Sequence, residues 1–143
     1  FFNGKHGNKI FNLPRYYGES MVGNFNYWDT TLDYWTPTNT DTNIPRPVQD
    51  DTNNSRISDR YIENGSYLRL KSLQFGYTFP KSMLESVNIE KLRVYVSGQN
   101  LFTITDYTGY DPETSSQNIW NMGIDYGVYP TSRTFLFGVQ LNF

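Results

Sequence analysis

The sequence predicts an all-β fold: antiparallel strands of a transmembrane β-barrel, joined by long outer loops. Three observations carry that expectation. Residues 133–143, RTFLFGVQLNF, alternate, with Phe135, Phe137, Val139, Leu141 and Phe143 on one face and Thr134, Gly138, Gln140 and Asn142 on the other, where Leu136 is the only large apolar residue. Aromatic residues make up 17% of the chain, with 12 Tyr and 10 Phe, and Ala and Glu are scarce, which is β-protein composition. The connections between strand-like stretches run very long, short, long, as in outer-membrane barrels with short periplasmic turns and long outer loops. A soluble sandwich strand would alternate in the same way, so length also counts. At ~3.3 Å per residue and a tilt of ~45°, 133–143 climbs roughly 25 Å, about the height of an outer-membrane apolar band.

The elements follow in order. Residues 1–4 read as the end of a strand already in progress, so the chain is expected to be a piece of something longer. Residues 5–65 show no clear strand alternation and read as an outer loop. Within it, Asn12-Leu13-Pro14 marks a helix start with Pro in the first turn, and Gly23 its end. Phe25, Trp28, Leu32 and Trp35 have helical spacing and predict a second short helix. A strand is expected over 66–79, where Leu73, Phe75, Tyr77 and Phe79 share a face. Leu68 and Leu70 fall on the other parity, with Arg69 and Lys71 between them. The greasy face therefore switches near Lys71-Ser72, either at a bulge or because the first half projects beyond the bilayer. Two cations facing lipid at mid-depth would each cost about 2–4 kcal/mol. Residues 80–91 form a short periplasmic turn. The next strand, 92–104, weakens at Gly98-Gln99-Asn100, again consistent with a bulge or kink. Residues 105–132 are a second outer loop, and 133–143 is the last strand.

Several functions find no support. The net charge of −2 gives no reason to expect a nucleic-acid partner. With no cysteine, neither a disulfide framework nor a thiolate metal site is available. No apolar run reaches the roughly 18 residues of a transmembrane helix, which says nothing against a barrel, where only every second residue faces lipid. His6 has no neighbouring catalytic or metal-binding partners in sequence and reads as a loop residue. The run Asp50-Asp51-Thr52-Asn53-Asn54 offers oxygen ligands for Ca²⁺ in an outer loop, but lacks the spacing, the Gly and the Glu of an EF-hand, and a solvated turn is the plainer reading. No cofactor is otherwise expected. Asp106, Asp111 and Glu113 are an acid–base set only if a cleft holds them, and no enzyme is predicted. The sequons at Asn53 and Asn64 read as chance matches. Trp28, Tyr34, Trp35, Tyr110, Trp120 and Tyr126 are the candidate contacts for a partner or substrate, since Trp and Tyr dominate interface hot spots. The plainer reading is that they pack the loops or sit in the aromatic girdle.

The run NGSYLRLKSLQFGYTFP at 64–80 resembles the third-last strand of SusC/RagA-type TonB-linked outer-membrane transporters. LRVYVSGQNLF at 92–102, GYDPE at 109–113, the ending from Tyr129-Pro130 onward, and upstream WTP at 35–37 and IPRP at 44–47 are similar too, in the same order. The resemblance implies the C-terminal strands of a 22-stranded barrel in the outer membrane of a Gram-negative bacterium. It also implies a plug domain and the remaining barrel, energy from TonB–ExbB–ExbD reached through N-terminal parts, and a SusD-like surface lipoprotein as partner. Glycans or peptides too large for porins would be the substrates. The alternating aromatic ending resembles the signal by which the outer-membrane assembly machinery engages barrels, so Phe135, Phe137, Val139, Leu141 and Phe143 are read both as lipid-facing and as that signal. A passive porin-like barrel and a soluble all-β carbohydrate-binding module are the alternatives.

Overall fold

The computed structural model describes residues 1–21, 26–48, 53–85, 89–114 and 119–143. In chain order its elements are β1 (Phe2–Lys5), β2 (Lys9–Asn12), α1 (Leu13–Glu19), β3 (Ile62–Asn64), β4 (Tyr67–Thr78), β5 (Lys91–Thr105), β6 (Ile124–Asp125) and β7 (Thr134–Asn142), with short 3-10 turns between. They divide into a sheet unit (1–6, 67–105 and 130–143) and a loop unit (7–66 and 106–129).

In the sheet unit the order is β1-β4-β5-β7, every pair antiparallel. Register puts like beside like. Phe75, Val96 and Phe137 stand in one row, and Tyr77, Val94 and Val139 in the next. Leu73, Gly98 and Phe135 form a row on one side of them, and Leu92 meets Leu141 on the other. Cross-strand partners share a face, so these rows make one apolar surface three strands wide. The opposite face carries Gln74, Ser97 and Leu136, then Gly76, Tyr95 and Gly138, then Thr78, Arg93 and Gln140.

The expected bulge is present. Between the pairs Leu70–Phe102 and Ser72–Gln99, one residue of β4 (Lys71) faces Asn100 and Leu101 of β5. Asn100 has φ 51°, a left-handed conformation that Asn tolerates better than most residues. On the other side of β4, the N–H groups of Lys71 and Ser72 both donate to the Phe1 carbonyl, at 3.0 and 3.3 Å. The two weak points in the alternation, one in each strand, are thus a single register step. Beyond it Phe2, Leu70 and Phe102 form a row, and Arg69 stands between Asn3 and Thr103. Arg69 is only 3% exposed: it donates to Thr103 Oγ1 (2.8 Å) and Thr131 Oγ1 (3.0 Å) and lies 5.8 Å from the Tyr67 ring centroid. This cation is therefore hydrogen-bonded rather than bare, as a buried charge requires.

On the polar face a Cβ built on Gly138 would come within 2.3 Å of the Tyr95 ring, so the ring lies directly over this glycine. An aromatic ring covering a glycine across a strand pair pins register. Gly138→Val must displace Tyr95, and we expect it to lower barrel stability by about 1–3 kcal/mol. Adding Tyr95→Ala should recover part of that loss, read as the urea midpoint of the heat-modifiable barrel.

The loop unit holds short strands that show no alternation in sequence. Here β2 pairs antiparallel with β3 and parallel with β6, giving a small sheet of order β3-β2-β6. Ile10 and Tyr61 form its buried centre, and the rings of Phe11 and Tyr16 meet Tyr61 edge-on at 6.2 and 5.2 Å. Helix α1 starts where Asn12 and Pro14 predict, with Asn12 Oδ1 accepting from the Arg15 N–H at 3.0 Å. It closes at Ser20, followed by Met21 at φ 54°, and not at Gly23, which lies outside the described residues. The second helix is replaced by a 3-10 turn over Asp29–Asp33, flanked by extended Trp28 and Tyr34. Leu32 is 80% exposed there, so no core stands behind the helical spacing to hold an α-helix; Phe25 lies outside the described residues.

Candidate membrane face and loop contact sites

Two features of the chain have functional potential. The first is the apolar surface of the sheet unit. Phe75 (65% exposed), Phe137 (80%), Tyr77, Phe135, Val139 and Leu141 all face outward, and Phe143, just past β7, is exposed as well. A shallow groove of about 520 Å³ runs among Phe75, Tyr77, Val94, Val96 and Phe137. A contiguous exposed patch of this kind marks a protein or membrane contact. The strands are long enough to cross a bilayer: β4 has 12 residues, β5 15 and β7 9, where about 9–11 suffice.

The second is the loop unit, which bears all six candidate aromatics. Trp28, Tyr34 and Trp35 come from its first segment, and Tyr110, Trp120 and Tyr126 from its second; each is at least partly exposed. The Trp28 ring packs against Gly18, and the Trp28 backbone N–H donates to the Gly18 carbonyl at 3.0 Å. Tyr34 and Trp35 start a closed loop. Tyr34 bridges Ile44, and the Trp35 N–H donates to the Ile44 carbonyl at 2.9 Å. Asn39 Nδ2 ties the loop inside to Asp33 Oδ1 at 2.8 Å. Trp120 sits in the 3-10 turn Ile119–Asn121, and Tyr126 directly follows β6.

Sequence reasoning missed the polar groups that hold this unit together. Glu63 Oε1 accepts from Asn12 Nδ2 (3.1 Å), Arg15 Nη1 (3.1 Å) and Thr108 Oγ1 (2.8 Å), and Oε2 accepts from the Thr108 N–H (2.9 Å). Arg15 also pairs with the buried Glu19 through Nε at 3.0 Å. Burial alone would raise the Glu63 pKa, but the bonds from Thr108, Arg15 and Asn12 outweigh it and hold the carboxyl below its ordinary value. The stabilisation is complete above the unfolded carboxyl pKa and is lost as pH falls through the lower folded one. Amide exchange of the loop unit should therefore be flat from neutral pH down to roughly pH 5 and accelerate below the ordinary carboxyl pKa of roughly 4.3, after correction for intrinsic rates. Acceleration already between pH 7 and 6 would contradict this. A second buried group, Asp125, accepts from the Tyr107 hydroxyl at 2.6 Å; burial and this carboxylate raise the Tyr107 pKa, so the phenol stays protonated. The one sequence cue was Asp125-Tyr126-Gly127, an Asp–x–Gly turn signal.

The remaining candidates do not converge. Asp111 is buried and accepts from the Glu113 N–H at 2.9 Å, serving its own turn. His6 is exposed at the end of β1. Asn64 Oδ1 accepts from the Ser66 hydroxyl at 2.7 Å. Asp50-Asp51-Thr52 lie outside the described residues, and among the described residues no group of three or more acidic or His side chains is placed to hold a metal.

Long antiparallel strands with an uncovered apolar face define a segment of an outer-membrane β-barrel. No protein-family model matches the chain. It is 42% identical over its whole length to TonB-dependent receptor P3 of Formosa agariphila, of which it spans 14%, and 38% identical over 61% of its length to TonB-dependent receptor SusC of Bacteroides thetaiotaomicron, of which it spans 8%. Among solved structures it is similar to the RagAB peptide importer in the open-open state, with a TM-score of 0.82 and 32% identity, covering 99% of this chain and 15% of that one. The RagAB peptide transporter matches at a TM-score of 0.80 and 32% identity over 98% of this chain. The chain belongs to the SusC/RagA type of TonB-dependent receptors, whose matched members are named receptors and transporters and not enzymes.

Proposed function

We propose that the chain is the C-terminal part of the barrel of a TonB-dependent importer of glycans or peptides, working with a SusD-like surface lipoprotein. The sheet β1-β4-β5-β7 spans the outer membrane, with Phe135, Phe137, Val139, Leu141 and Phe143 toward lipid and serving assembly. The single observation that carries this reading is the set of apolar rows across β4, β5 and β7, exposed on one face and matched in register. The connection from β4 to β5 is short and built around a 3-10 turn at Lys81–Met83, whereas the others feed the loop unit. Short turns face the periplasm, so the loop unit stands outside, where its six aromatics meet the lipoprotein or the substrate. Remaining barrel, plug and the link to TonB–ExbB–ExbD belong to the rest of the transporter.

The test is uptake by cells carrying the full transporter, offered labelled oligopeptides and oligosaccharides of matched size, with and without a protonophore. One substrate class should enter, and entry should stop when the inner membrane is de-energised. Entry that continues unchanged would mean a passive barrel.

A further inference from the structure

We propose that Glu63 pins the two segments of the loop unit, 7–66 and 106–129, into one body, and so acts as a positioning residue for the aromatic contacts that each segment bears. Donors from both sides meet on its carboxylate. Asn12 and Arg15, at the start of α1, approach Oε1 at 3.1 Å each. Thr108, from the other segment, donates through Oγ1 to Oε1 and through its backbone N–H to Oε2, at 2.8 and 2.9 Å. Asn12 Nδ2 also reaches Thr108 Oγ1 at 3.5 Å. Among the described residues the seam also holds two register pairs between β2 and β6, one backbone bond from Phe11 to the Gly123 carbonyl, and the contact of α1 with β6. A strand pair that short contributes little by itself, whereas a charged acceptor with several donors is a strong and directional tie.

Placement shows what the tie governs. Thr108 lies two residues before Tyr110 and next to Tyr107, whose hydroxyl binds Asp125 beside Tyr126. On the other side, α1 carries Gly18, against which Trp28 packs. Holding Thr108 to the start of α1 therefore fixes where the Tyr110 stretch stands relative to the helix on which Trp28 packs. The effect on import rests on the proposed role of the loop unit; the pinning itself does not.

Both halves can be read separately in the full transporter. In Glu63→Gln, amide exchange over 8–20 and over 106–113 should rise together, roughly tenfold, while the barrel remains heat-modifiable. Uptake should fall with it. Replacing the tie by paired cysteines, Glu63→Cys with Thr108→Cys, should restore slow exchange and uptake when oxidised and lose both on reduction. If Glu63→Gln fails to yield a folded barrel, Thr108→Val, which keeps the Arg15–Glu63 pair, carries the same readout. Unchanged exchange, or a rise confined to one segment, overturns the pin. Joint loosening with unchanged uptake overturns the positioning role. Wild-type uptake that ignores a protonophore would instead sink the importer reading and leave the pin standing.

Discussion

Phe137→Arg is expected to remove most of the full transporter from the outer membrane. Phe137 is 80% exposed and sits in the row Phe75–Val96–Phe137, with further apolar rows on both sides. A guanidinium there has no water and no acceptor within the apolar face. On the lipid side of a barrel Arg costs about 2–4 kcal/mol at mid-depth and nearly nothing at the interfaces. The surrounding rows put Phe137 at the expensive end of that range. The Phe ring's own transfer energy is lost as well, and the total is a large fraction of the 5–15 kcal/mol typical of a folded domain. Gln74→Lys is the matched control. Gln74 lies on the opposite face with Ser97 and Leu136, so the same kind of charge should change stability by no more than about 0.5 kcal/mol. Heat-modifiable barrel in outer-membrane fractions reads both variants. Equal levels in both would mean that this face does not meet lipid.

The sheet was legible because it is periodic. β7 alternates at every position but Leu136, and the stretches 66–79 and 92–104 match β4 and β5 to within a residue at each end. Even the register step was visible, because Leu68 and Leu70 fall out of phase with Leu73 and Phe75. The loop unit was not legible, for physical reasons. β2 has 4 residues, β3 has 3 and β6 has 2, too short to show a period. Their pairing depends on partners far along the chain, such as Phe11 with Ile62 and with Ile124. Glu63 looks like any surface carboxylate in sequence; only folding brings Asn12, Arg15 and Thr108 to it. The aromatic spacing from Trp28 to Trp35 misled in the other direction. Helical spacing stabilises a helix only when that face is buried, and Leu32 has nothing to pack on.

Asp125→Ala should loosen the second segment of the loop unit while the sheet holds. The Asp125 side chain is fully buried. Its Oδ1 accepts from the N–H groups of Gly127 and Val128, at 2.8 and 3.0 Å, and its Oδ2 from the Tyr107 hydroxyl at 2.6 Å. The turn it caps puts Gly127 at φ 83°, so the backbone depends on that cap to stay in an unusual conformation. Alanine leaves three donors without their acceptor, and the combined cost is about 3–5 kcal/mol. Asp125→Asn separates charge from geometry. Its carbonyl oxygen still serves the two backbone donors, and the Tyr107 hydroxyl can turn to accept from the amide, so a loss of only about 1 kcal/mol is expected. Tyr107→Phe should fall between the two. The strands need not follow, because β4, β5 and β7 are joined by their own ladder and Asp125 takes no part in it. The expected pattern in the purified full transporter is rapid protease cleavage within 106–129 for Asp125→Ala, slow cleavage for Asp125→Asn, and unchanged heat-modifiable migration for both. Cleavage of the alanine variant no faster than the parent's would show that the turn is held by other contacts.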